Sequence, residues 1–78
     1  MPRDYSALDL IRFLTKFGYS ITRQKGSHIR ITKNSKKGDH HITISNHDPL
    51  KIGTLSSILT AVANELEMNK SELIEKLK

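Results

Sequence analysis

The stretch Tyr19-Ser20-Ile21-Thr22-Arg23-Gln24-Lys25-Gly26-Ser27-His28-Ile29-Arg30-Ile31-Thr32 decides the fold. Its apolar residues recur every second position, the period of a strand with one face buried. Tyr19, Ile21 and Arg23 alternate with Ser20, Thr22 and Gln24, and after Lys25-Gly26-Ser27 the alternation resumes at Ile29 and Ile31. A third run, His41 to Ser45, repeats it with Ile42 and Ile44, beyond the turn residues Asn34 to Asp39. Three short antiparallel strands follow from this pattern.

Residues opposite one another across a strand pair share a face, so parity sets the register. A two-residue turn at Lys25-Gly26 sets Thr22 against Ile29, mixing the faces. A three-residue turn, Lys25-Gly26-Ser27, pairs Ile21 with Ile31, Thr22 with Arg30 and Gln24 with His28, and is the expected one. The next hairpin pairs Ile31 with Ile42 and Ile29 with Ile44. One sheet face is then apolar. The other carries Ser20, Thr22, Gln24, His28, Arg30, Thr32, His41, Thr43 and Ser45, all polar, and is suited to water or a polar ligand. Arg23 falls by alternation on the apolar side, near the rim.

The flanking segments switch to a helical period. Ser6 with Asp9 forms a capping-box pattern before Leu10, Phe13, Leu14 and Phe17, which fall at i, i+3, i+4 and i+7. Gly18 suits the left-handed residue that ends such a helix. A second helix, capped by Thr54, carries the stripe Leu55, Ile58, Leu59, Val62, Ala63 and Leu66. Asn69 with Glu72 opens a short third helix bearing Leu73, Ile74 and Leu77, which either complete the core or form a docking edge. The fold class is α+β. Its order α-β-β-β-α, with a three-stranded antiparallel sheet and helices on one face, is the layout of a double-stranded-RNA-binding domain, here with a short C-terminal helix added.

The 78 residues form one domain, residues 1–78, and contain no cysteine, which excludes disulfides and thiolate metal sites. The longest apolar run, Ala61-Val62-Ala63, is far too short to span a bilayer. The start, Met1 to Tyr5, lacks the apolar core of a signal peptide, so a cytoplasmic, membrane-free setting is expected. Net charge is +5, and no carboxylate occurs between Asp9 and Asp39, a stretch holding 8 of the 13 basic residues. Such a one-sided block points to a polyanion, either nucleic acid or an acidic protein, or else is a solvated face.

Phe17-Gly18-Tyr19, Arg23-Gln24-Lys25-Gly26-Ser27-His28, Ile42-Thr43-Ile44 and Gly53-Thr54-Leu55-Ser56-Ser57-Ile58-Leu59 occur in the order found in HicA toxins. Over roughly residues 6 to 63 the chain resembles that family of small mRNA interferases, partnered by HicB antitoxins. The resemblance implies a double-stranded-RNA-binding-like fold and metal-independent endonucleolytic cleavage of mRNA. It further implies that the histidine of the Gly-Ser-His triplet, His28, is catalytic, and that HicB covers it. It makes the chain the toxin of a type II toxin–antitoxin system.

The residues themselves suit that chemistry. A histidine exchanges protons at neutral pH and is fitted to take a proton from an RNA 2′-hydroxyl. Arg23, Lys25 and Arg30 are cations able to hold phosphate, Gly26 admits close backbone approach, and Ser27 is placed to orient the turn or the imidazole. His40 and His41 point to opposite faces, and no carboxylate lies among His28, His41 and His47, so neither a metal site nor any other cofactor is expected. A non-catalytic RNA-binding module is the alternative that the same basic face allows. A protein-interaction module serving only an acidic partner is a third.

Overall fold

The computed structural model describes residues 4–77; residues 1–3 of the chain start and Lys78 of the C-terminal charge balance lie outside the described residues. The elements are α1 (Ala7–Thr15), β1 (Tyr19–Lys25), β2 (His28–Lys33), β3 (His40–Ser45), α2 (Ile52–Leu66) and α3 (Lys70–Leu77). The strands form one antiparallel sheet in the order β1-β2-β3. The expected α-β-β-β-α order with a further C-terminal helix is therefore the observed one. No helix among the described residues is long and apolar enough to cross a membrane.

Local chemistry fixes the helix ends. Ser6 Oγ accepts from the Asp9 amide at 3.0 Å, and Asp9 Oδ2 accepts from the Ser6 amide at 3.3 Å, satisfying two N-terminal donors of α1 reciprocally. Gly18 sits at φ +100° and releases the chain into β1. The start of α2 differs from expectation. It begins at Ile52, not at Thr54, and its N-cap residue Lys51 makes no side-chain capping bond. Just before it, buried Leu50 donates its amide to Tyr5 O at 2.8 Å, which ties the chain entering the helix to the segment before α1. At the start of α3 the Asn69 side-chain amide donates to Glu72 Oε1 at 3.3 Å, the expected pair of residues.

Ile29, Ile31 and Ile44 of the sheet pack in one cluster with Leu10, Ile11 and Leu14 of α1, Leu55, Ile58, Leu59 and Val62 of α2, and Leu73 and Leu77 of α3. Full burial of an aliphatic side chain of this size stabilises by about 1.5–3 kcal/mol. Leu73 is completely enclosed, so α3 is part of the core, which settles the choice left open above. Ile21 departs from the apolar-face expectation. It remains half exposed, and Tyr19 is the one buried residue of β1. The opposite sheet face carries no helix, which leaves it open for the site.

Candidate functional site

Register on the β2–β3 side is the expected one: Ile31 pairs with Ile42, Ile29 with Ile44, Arg30 with Thr43 and His28 with Ser45. On the β1–β2 side Ile21 pairs with Ile31 as expected, but the three-residue turn is not formed. Lys25 pairs directly with His28, leaving only Gly26-Ser27 as the turn. Gly26 has φ +58° and Ser27 has negative φ, the signature of a type II′ turn with glycine at its first central position.

A two-residue turn alone would have set Ile21 against Thr32. The conflict is resolved by a β-bulge between Ile21 and Arg23, where Thr22 is the extra residue. The one-residue correction expected in the turn is made in the strand. Everything between the bulge and the turn therefore changes face. Arg23 pairs with Arg30 and Lys25 with His28, on the polar face, while Gln24 pairs with Ile29 and leaves it. The earlier pairings of Thr22 with Arg30 and of Gln24 with His28 are thus corrected, as is Arg23's place on the apolar side. Glycine's preference for the first central position of a II′ turn is the sequence signal that pointed to this arrangement.

The consequence is an open pocket of about 230 Å³ lined by Arg23, Lys25, His28, Arg30 and Thr43. Of the six residues singled out from the sequence, four line this pocket, and Gly26 and Ser27 form the turn beside it. His28 is exposed. Nothing lies within 4 Å of where a Gly26 Cβ would stand, so only its backbone angle demands glycine. Ser27 O accepts from the Asn46 amide at 2.6 Å, tying the turn to the segment after β3. That segment is tied in turn to α1, since His47 O accepts from the Ala7 amide at 3.0 Å. The histidine's strand end is thereby held from two sides.

A polar chain runs across the same face beside the pocket. Thr22 Oγ1 lies 2.8 Å from Thr32 Oγ1, and Thr32 Oγ1 lies 2.8 Å from His41 Nδ1. Arg30 Nη2 reaches the same His41 nitrogen at 3.4 Å. Thr32 is only 5% exposed although it belongs to the solvent-facing side of the sheet. Arg30 Nε is enclosed and makes no hydrogen bond among the described residues. Thr43 and this chain were not singled out as site residues, although the expected register already paired Thr32 with His41.

The remaining histidines sit apart. His40 points to the helix side, where its Nδ1 meets the Tyr19 hydroxyl at 2.6 Å. Burial, and secondarily Glu65, pushes the Tyr19 phenol up to about 12. No three His, Cys, Asp or Glu side chains come together as a metal-binding group among the described residues.

Fold and site together define a small α+β protein that gathers cations round an exposed histidine on the open face of its sheet. Residues 8–63 match the family model of the HicA toxin of bacterial toxin–antitoxin systems. The chain belongs to the HicA toxin family, and so to the toxin side of a toxin–antitoxin pair. No curated protein and no solved structure matches it.

Proposed function

We propose that this chain is a metal-independent endoribonuclease that cleaves mRNA with His28 as the acid–base residue. One observation carries the reading: His28 shares an open pocket with three cations, Arg23, Lys25 and Arg30. RNA brings its own nucleophile. In the proposed step His28 takes the proton of a 2′-hydroxyl, and that oxygen bonds to the adjacent phosphorus as the bond to the 5′-oxygen breaks. The products are a 2′,3′-cyclic phosphate and a 5′-hydroxyl, the departing oxygen acquiring a proton. The cations offset the charge that builds on the phosphorane oxygens.

The reading extends to the partner. An acidic HicB antitoxin that covers the His28 face would both neutralise the basic block and close the pocket to mRNA, in the cytoplasm and without a membrane or a small-molecule cofactor. Incubating the purified chain and its His28→Ala variant with a defined mRNA in EDTA tests the proposal. Cleavage by the wild type alone, with RNA binding retained in the variant, is expected. Salt-dependent binding without cleavage by either protein would favour a non-catalytic RNA-binding module. Activity lost in EDTA and restored by a divalent ion would overturn the metal-free step.

A further inference from the structure

If the pocket is a ribonuclease site, His41 on the neighbouring strand has a part in it. His41 does not line that pocket. Its Nδ1 nevertheless meets two groups, Thr32 Oγ1 at 2.8 Å and Arg30 Nη2 at 3.4 Å. A guanidinium nitrogen has no lone pair to offer and can only donate. Nδ1 is therefore an acceptor, and the Thr32 hydroxyl that shares it must donate as well. Having spent its proton on His41, Thr32 accepts from Thr22 Oγ1 at 2.8 Å, a shorter contact than the 3.4 Å to Arg30 O that competes for the same Thr22 proton. The bonds thus run in one direction, from Thr22 through Thr32 to His41, with Arg30 joining at the end.

This chain crosses all three strands and begins at the bulge residue, whose insertion puts Arg23 and Lys25 beside His28. Its middle member is buried on a face otherwise open to solvent, so water competes poorly for the Thr32 hydroxyl. Arg30 gains little other fixation: its Nε is enclosed and unpaired, leaving the Nη2 contact to orient the guanidinium. A pocket cation that swings freely would stabilise a transition state less than one held in place.

We propose that His41 is a positioning residue. Through Nδ1 it holds Arg30 at the rim of the His28 pocket. It touches no substrate and acts through Arg30.

Two readouts test this on the full chain. The first is long-range 1H–15N NMR of the imidazoles at neutral pH. The proton of the His41 ring is expected on Nε2, with Nδ1 bare; a protonated Nδ1 in the neutral ring would overturn the proposal whether or not the chain cleaves RNA. The second is a mutant cycle on mRNA cleavage with Arg30→Gln and His41→Leu, thermal unfolding being measured alongside. His41→Leu is expected to lower kcat about tenfold with KM nearly unchanged, and to cost nothing more once Arg30 is Gln. His41→Asn, whose carboxamide oxygen replaces the Nδ1 acceptor, is expected to keep activity within about threefold. Independent losses that add in the double variant, or failure of His41→Asn to rescue, would overturn it. Absence of cleavage by the wild type would sink the ribonuclease reading instead, and the NMR experiment would still decide the role of His41.

Discussion

Arg23 and Arg30 stand opposite one another across the β1–β2 ladder, two cations side by side on the face that carries His28. Like charges at directly opposed positions weaken a strand pair, typically by about 0.2–1 kcal/mol. The arrangement is therefore unfavourable for the sheet and favourable for an anion. Arg23→Thr is expected to raise the melting temperature slightly while lowering both RNA affinity and cleavage. A variant that loses stability, or one that keeps full RNA affinity, would break the link between the opposed pair and the site.

The Gly26 turn makes a cleaner demand. With open space around the position, Gly26→Ala meets no clash, only the cost of φ +58° for an L-residue, about 1–2 kcal/mol. Chemical denaturation should show a loss of that size, accompanied by shifted amide resonances at Lys25 and His28. A neutral result would mean that the hairpin relaxes to another turn without penalty.

The two sides of the sheet were not equally readable in the sequence. Alternation of Ile29, Ile31, Ile42 and Ile44 identified the β2–β3 register correctly, because a slip by one residue would turn the apolar set outward. For β1 the same rule required one unpaired residue but could not say where. Parity is satisfied equally by a longer turn or by a bulge. The choice fell to the preference of Gly26 for a II′ turn and to the hydroxyl bonds of Thr22, which only the folded sheet brings together. The cost of that ambiguity fell on the site, since it decided whether Arg23 faced the rim or His28.

Alkaline pH should expose the Tyr19–His40 contact. The phenol is raised from 10.0 to about 12 by burial, so the folded state holds its proton more tightly than the unfolded chain does. Its contribution is complete below about pH 10 and declines as pH rises through about 12. Tyr19→Phe is expected to flatten the stability profile over that window and, by removing the hydrogen bond to His40 Nδ1, to cost about 1 kcal/mol at neutral pH. An unchanged alkaline limb in the variant would assign the loss to other groups.

The third helix lies beyond the region matched by the family model, yet Leu73 is fully enclosed by the core. Leu73→Ala should destabilise the fold by about 2–5 kcal/mol, as cavity-forming substitutions do. A cost below about 1 kcal/mol in urea unfolding would show α3 to be a loosely attached appendage instead.

In the proposed cleavage His28 activates the RNA's own 2′-hydroxyl. The most direct measurement uses an RNA with a mapped cleavage position and a matched RNA carrying one 2′-deoxynucleotide immediately 5′ to the scissile phosphate, each incubated with the wild-type chain in EDTA. The first is expected to be cut to a 2′,3′-cyclic phosphate and a 5′-hydroxyl, and the second to stay intact at that position. Cleavage of the deoxy-substituted RNA at the same phosphate would contradict this mechanism, because the attacking oxygen would then come from elsewhere.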